Sequence, residues 1–237
     1  MKKMIAYCVT VLVVCASVLL ICLLASRTVS VMTLQEIRNR QHRIVIDPGH
    51  GGIDGGATSC TGKLESGYNL EIALRLRDLC HLLGYPTRMI RTIDTSIYTK
   101  GDTIAAQKMS DLKQRVSIVN EQENHLLISI HQNNFADSRY SGAQVFYGGS
   151  AGSRELAESL QSSLVESLNP GSRRRAKKAE GIYIMEHIRN TGVLVECGFL
   201  SNPEEESRLA DGAYQKKLCC VIVCSLANFL TEAYANT

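Results

Sequence analysis

Tryptophan is absent from the 237 residues, and the nine tyrosines and four phenylalanines that remain make up 5% of the chain. So few rings argue against a base-stacking platform or an aromatic sugar-binding floor as the main device. Charge is equally short of direction. Leaving out Lys2 and Lys3, 24 basic side chains face 23 acidic ones, so no global field draws the chain to nucleic acid. Nine cysteines are present, but none forms a C-x-x-C pair, and Cys60, Cys80, Cys197, Cys219, Cys220 and Cys224 do not read as a disulfide framework. No internal repeat or low-complexity tract is evident.

What the chain does have is one long apolar run. Met4 to Ser26 carries no charge and is bracketed by Lys2, Lys3 and Arg27; a bilayer is spanned by ~20 apolar residues. A cleaved signal peptide would have a shorter apolar region and a small-x-small site. Neither is found, and Leu19, Leu20 and Ile21 before Cys22 do not suit lipoprotein processing, so an uncleaved anchor is favoured over a signal peptide. Arg27, Arg38, Arg40 and Arg43 follow the run and blunt the positive-inside count. Cys8, Cys15 and Cys22, at seven-residue intervals, read as small apolar residues facing lipid. The expected organisation is a tail and anchor over residues 1–27, a linker over 28–42 and one folded domain over 43–237, large enough to bury a core without staples.

Order of elements gives the fold class. Arg43–Asp47 reads as a strand. Tyr68–Leu83 reads as a helix, with Ile72, Leu76, Leu79 and Leu83 on one face and Gly84 as its stop. Further strands are expected at Pro86–Arg91, His125–Ile130, Gly142–Tyr147, Ile182–Met185 and Val193–Val195. Helices are expected from Ser110, as N-cap, to Val119, over Ser153–Leu168 and over Tyr214–Tyr234. Such alternation predicts an α/β domain with a mostly parallel or mixed sheet of about six strands and helices on both faces.

Three of the apolar strands end alike. IVID leads into His50, LLISI ends on His131 and VLV ends on Glu196. In open α/β sheets the carboxyl ends of the strands line the ligand crevice, so two imidazoles and an acid arriving there point to a site. Their spacing excludes a one-helix HExxH arrangement, whereas two His, a carboxylate and one open position is the pattern of catalytic zinc. Glu65 is the best candidate for a third ligand, with Asp54 and Glu71 as alternatives. Glu71 has Arg75 at i+4 as a surface partner. Glycines 49, 51, 52, 55 and 56 allow a sharp turn around His50.

Five pieces in order, IDPGHGGIDGGA, LESGYNLEIALRL, the Arg91 region, SIHQNN and GVLVECGFLSNPEE, resemble the zinc-dependent N-acetylmuramoyl-L-alanine amidases of bacterial cell-wall metabolism. The resemblance runs from about Arg43 to Leu230. It implies that His50, Glu65 and His131 hold one zinc ion, that Glu196 is the catalytic carboxylate, and that 43–237 is a zinc amidase domain acting on the glycan strand and stem peptide of peptidoglycan. Where the family often has a Lys-Asp pair after the ligand glutamate, this chain has Ser66 and Gly67. Asn133, Arg91 and His187 are candidates for contacting substrate or orienting a ligand.

KMSDLKQR, SGAQVFYGG and AKKAEGIYIMEH, together with a single N-terminal apolar segment, are similar to the germination-specific amidases of spore-forming bacteria. That similarity implies a role in muramic-δ-lactam formation in spore cortex, partnership with a muramic acid deacetylase, room for an activator protein and a domain on the wall side of the membrane. The basic run RRRAKK reads as a solvated loop or as a contact for anionic wall polymers. Rival readings are a vegetative autolysin, a zinc stem-peptide peptidase, a non-catalytic wall-binding protein and a cysteine hydrolase using Cys197. The last is opposed by alternation, which sends Cys197 to the other side of the strand from Glu196.

Overall fold

The computed structural model describes residues 12–21 and 42–235. The chain divides into two compact units, Met1–Gln41 and His42–Thr237. In the first, residues 12–21 are helical (α1) with exposed side chains. The rest of the apolar run expected as an anchor lies outside the described residues, as does the linker expected over 28–42 apart from His42. Among the described residues no helix is long and apolar enough to cross a membrane.

The second unit runs β1 (Arg43–Pro48), α2 (Glu65–Leu82), β2 (Thr87–Met89), α3 (Ile104–Asn120), β3 (His125–Asn133), β4 (Gln144–Tyr147), α4 (Ser153–Leu168), β5 (Lys177–Lys178), α5 (Tyr183–His187), β6 (Gly192–Phe199), α6 (Pro203–Ala210) and α7 (Gly212–Ala235). Six strands form one sheet in the order β2-β1-β3-β6-β4-β5. All neighbours are parallel except β4 and β6. This is the α/β architecture with a six-stranded mixed sheet that the alternation of elements predicts.

Central strands of such a sheet are covered on both faces and so are apolar throughout. Ile44, Ile46, Leu126, Ile128, Ile130, Val193 and Val195 join Ile72 and Leu76 of α2, Leu156 and Leu160 of α4, and Ile222 and Leu226 of α7 in the larger core. The alternate residues Val45, Leu127 and Leu194 point the other way, to Val119 of α3 and Ile184 and Met185 of α5. Cys197 faces the larger core, opposite to Glu196, as alternation requires.

Two local expectations need correction, the basic run read as a solvated loop ends in the short edge strand β5, and one helix was missed. The helix expected to begin at Ser110 begins at Ile104. Thr103 is its cap, with Oγ1 accepting from Ala106 N at 3.2 Å, while the buried Ser110 hydroxyl accepts from Thr99 N at 3.1 Å. The short strand expected at Ile182–Met185 is helix α5. Its apolar run is too brief to show a period, and Ile184 and Ile188 are both buried at helical spacing. Helix α6 was not foreseen, although Asn202 and Pro203 announce it: Asn202 Oδ1 accepts from Glu204 N and Glu205 N, and Pro203 stands in the first turn.

Candidate metal centre

Each member of the centre arrives on a different element. β1 ends at Pro48 and the chain turns sharply, leaving His50 at φ 61°, the only described residue other than glycine at positive φ. A histidine is held in this sparsely populated region only when its surroundings over-determine it. Here two buried arginines do so. Arg91 donates to the carbonyls of Pro48 (2.9 Å), Gly49 (2.9 Å) and Ser66 (2.9 Å). Arg115 donates to Pro48 O (3.0 Å) and His50 O (2.7 Å). Arg115 also pairs with Asp47, which accepts from Ser129 Oγ at 2.8 Å. Burial opposes ionisation of Asp47, but the Arg115 guanidinium overcomes it and holds the carboxyl below its usual range.

His131 comes from β3, in register with Glu196 of β6. Glu65 opens α2, and its carboxylate lies between the two imidazoles, Oε2 3.2 Å from His50 Nε2 and Oε1 3.1 Å from His131 Nδ1. Ala57 N and Gln132 N donate to it as well. The two rings meet edge to face with centroids 4.9 Å apart, and one donor atom from each of His50, Glu65 and His131 lies within 4.8 Å of the others. Burial disfavours the charged His50, but bonds to Glu65 and Asp54 outweigh it and raise its pKa to about 9. Burial works against the Glu65 carboxylate too, yet the imidazoles hold its pKa far below the ordinary value.

Two glycines are demanded by this closeness. A Cβ on Gly49 would fall on the His131 ring. One on Gly56, at φ +70°, would meet Glu65 Oε2 at 2.6 Å and His50 Cδ2 at 2.7 Å.

Glu196 stands beside the cluster. Burial raises its pKa to about 7, with the neighbouring His131 imidazole opposing and Glu65 adding to the rise. Its Oε2 is buried with no hydrogen-bond partner. A cavity of about 180 Å³ adjoins, lined by His50, His131, Asp54, Lys108 and Ile184 among others.

The remaining candidates separate clearly. Asp54 accepts from His50 Nδ1 at 2.8 Å and pairs with Lys108 at 2.7 Å, so it orients the His50 ring from behind. Glu71 is turned away, bonded to Lys63 Nζ at 2.8 Å, which takes the place expected for Arg75. Arg91 faces backbone carbonyls, and its burial and the nearby Arg115 lower its pKa to about 10. Asn133 lies at the β3 irregularity, its carbonyl accepting from Leu200 N. His187 is exposed, stacked on Tyr183 and apart from the cluster. Sequence reasoning passed over Asp47, Lys108 and Arg115, for which spacing offers no signal: Arg115 is 65 residues from the carbonyl it holds.

The N-acetylmuramoyl-L-alanine amidase family matches residues 44–228. The germination-specific N-acetylmuramoyl-L-alanine amidase of Bacillus subtilis is 40% identical over 192 residues, 80% of each chain. LytC of the same organism is 32% identical over 73% of this chain and 32% of its own length. Among solved structures, the CwlD amidase of Clostridioides difficile in complex with the GerS lipoprotein superposes with a TM-score of 0.77 at 34% identity, covering 81% of this chain and 99% of that one. With the match spanning the sheet and every strand end described above, the chain belongs to the N-acetylmuramoyl-L-alanine amidase family and is a hydrolase of cell-wall peptidoglycan.

Proposed function

We propose that the domain works as a zinc amidase, with His50, Glu65 and His131 holding one ion and Glu196 moving the proton. The observation that carries this reading is the convergence of two imidazoles and a carboxylate within 4.8 Å beside a buried, unpartnered carboxylate oxygen. The donor set fits: a catalytic zinc site takes three such ligands and keeps one position open. Asp54 fixes His50 by its Nδ1 and leaves Nε2 toward Glu65. When bound, zinc supplies Lewis-acid chemistry, polarising water and an amide carbonyl.

The chain's own part is proton transfer. Glu196, ionised, takes a proton from the water that attacks the lactyl carbonyl of N-acetylmuramic acid. Protonated, it returns that proton to the amine of L-alanine as the C–N bond breaks. A group with a pKa of about 7 can serve in both forms near neutrality. No nucleophilic side chain is required, and Cys197, buried on the other face with its thiol pKa pushed up by burial, is unsuited to be one.

The finer role is spore cortex, where the peptide is removed from muramic acid before a deacetylase completes the δ-lactam. The 40% identity to the germination-specific enzyme supports it. Similarity to the germination-specific enzyme supports an anchored domain on the wall side of the membrane, and the lipoprotein bound to the CwlD amidase supports an accessory protein here.

The test is mass spectrometry of peptidoglycan fragments after incubation with the full chain and zinc, beside Glu196→Gln. Intact stem peptides with a free L-alanine amine, formed only by the unsubstituted chain, are the expected products. Cleavage inside the stem would make the protein a peptidase, and comparison of cortex with vegetative wall would separate the germination role from an autolysin's.

A further inference from the structure

The basic run RRRAKK, which the proton chemistry does not use, has a definite place in the fold. It forms the outer edge of the sheet, where β5 pairs only with β4. Exposure alternates along it: Arg173, Arg175 and Lys177 are exposed, whereas Arg174 and Ala176 are half-buried. A period of two residues is that of extended chain. The inward members serve the fold. Ala176 packs against the larger core, and Arg174 donates to Ser141 O (3.1 Å) and Gln144 Oε1 (3.4 Å). The outward members do not. Among the described residues, no hydrogen bond or ion pair engages the side chains of Arg173, Arg175, Lys177 or the exposed Lys178.

One use of cations on an edge strand is to keep other strands from adding to the sheet. Here β5 is only two residues long, and so short an edge needs little such protection. The run also walls a cleft of about 470 Å³ against α4, lined by Arg154, Arg174 and Arg175 with Tyr147 and Gln161 among others. Glu158, the only acid among the lining residues, is already paired with Arg154 at 2.8 Å, so the charge of Arg174 and Arg175 there is uncompensated. The run starts level with the catalytic centre. Gln144 of β4 stands opposite Glu196 of β6, and its Nε2 donates to Arg175 O at 2.7 Å. Arg175 is therefore two strands across from Glu196, roughly 10 Å at the spacing of strands, and the residues after it lead away along the edge.

We propose that Arg173, Arg175, Lys177 and Lys178, with the cleft beside them, bind a linear polyanion, a chain bearing regularly spaced phosphate or carboxylate groups, laid along this sheet edge. Cations on alternate residues of extended chain recur every ~7 Å, so they can meet successive anions of one polymer rather than enclose a single ion. The chain beyond Lys2 and Lys3 is close to neutral, with 24 basic against 23 acidic side chains. Attraction is therefore local to the edge and acts within the screening length, ~10 Å at 0.1 M salt. The inference uses neither the metal nor the amide chemistry.

The test is binding of the full chain to fluorescein-labelled polyphosphate and, separately, to labelled polyglutamate, read by anisotropy. One variant carries Arg173→Gln, Arg175→Gln, Lys177→Gln and Lys178→Gln together. A second, Arg173→Lys with Arg175→Lys, keeps the charge, and a third, Lys216→Gln with Lys217→Gln, removes exposed cations from α7 instead. The first is expected to bind about tenfold more weakly than the parent, the combined effect of several exposed ion pairs, with an unchanged thermal midpoint. The second and third should bind as the parent does. Parent binding should fade in about 1 M salt, where charges are screened beyond about 3 Å. Binding of one polymer alone would support the site and name its anion as phosphate or carboxylate, and binding of both would support it as a reader of charge spacing. Binding of neither, or an equal loss in the first and third variants, would overturn the site and leave the run as a solvated edge. A chain that cleaved no muramyl amide yet lost polyanion binding only in the first variant would sink the amidase reading and leave this site standing.

Discussion

The turn that carries His50 and the strands that carry His131 and Glu196 meet at one centre but are held there differently. His131 and Glu196 sit in register on adjacent parallel strands, so ordinary ladder hydrogen bonds place them. His50 sits at φ 61° on a turn, and two buried arginines, an aspartate and glycines at 49 and 56 keep it there. The difference teaches where rigidity has to be added. A strand end needs no help to aim a side chain, whereas a strained turn needs its carbonyls tied down.

If Glu196 supplies the proton chemistry while His50 on the turn helps His131 and Glu65 hold the metal, the two roles should break in different ways. Glu196→Gln keeps the volume and the strand but removes the group that moves the proton. Its kcat is expected to fall about a thousandfold, the size of a general acid–base contribution, with zinc affinity largely retained. A Glu196→Gln chain that lost zinc and activity together would show that the two halves are not separable.

Arg115→Met attacks the turn half through stability. It leaves Asp47, 1% exposed, without its cation, and breaking a buried pair in this way costs about 3–5 kcal/mol. Asp47 has a folded pKa depressed below its ordinary 3.8. The pair's contribution is therefore fully present above that value and is lost as pH falls through the folded one. In the variant, burial, which favours the neutral form of Asp47, is opposed only by the His131 imidazole and the Ser129 hydrogen bond. The gap in denaturant midpoint between parent and variant should then be widest at neutral pH and narrow below pH ~4. A gap that stayed constant from neutral to acid would show that packing of the Arg115 stem, not charge, was lost.

The same contrast explains what could be read in advance. His131 and Glu196 were legible because strands of apolar residues ending in a titratable group are a pattern in the sequence itself. The glycine turn was legible as a turn, and its histidine as a member of the cluster with Glu65 and His131. Arg91, placed among groups that contact substrate or orient a ligand, ties down carbonyls of the His50 turn and has Asp94 4.0 Å away, and Arg115 was not singled out. On the His50 turn each does its work on carbonyls far away in sequence, Arg91 on Gly49 O 42 residues back and Arg115 on Pro48 O 67 residues back, and an arginine that will be buried looks like any other until the fold brings its partners to it. Helix α5 was misread as a strand because five residues cannot show a period. The ring contacts of Tyr140 with Phe135 and Phe199 escaped a reading based on composition, which counts rings but cannot say which of them will meet.

The smallest expected effect lies at the hinge between the two halves, where Asp54 accepts from His50 Nδ1 and pairs with Lys108. Its carboxyl is partly buried, which alone would raise its pKa, yet the bonds from Lys108 and His50 lower it. Removing a carboxylate that orients a ligand histidine typically weakens metal binding by about 10- to 100-fold, so Asp54→Ala should show that loss in zinc competition against a chromophoric chelator. Asp54→Asn tells which property matters. An amide oxygen can still accept the Nδ1 proton but cannot pair with Lys108. Recovery of most of the affinity by Asn would mean that orientation of the ring is what Asp54 provides, in keeping with a turn that needs fixing in place. Asn as weak as Ala would mean that its negative charge, felt through His50, is what the metal requires, and the strain of the turn would then matter less than its electrostatics.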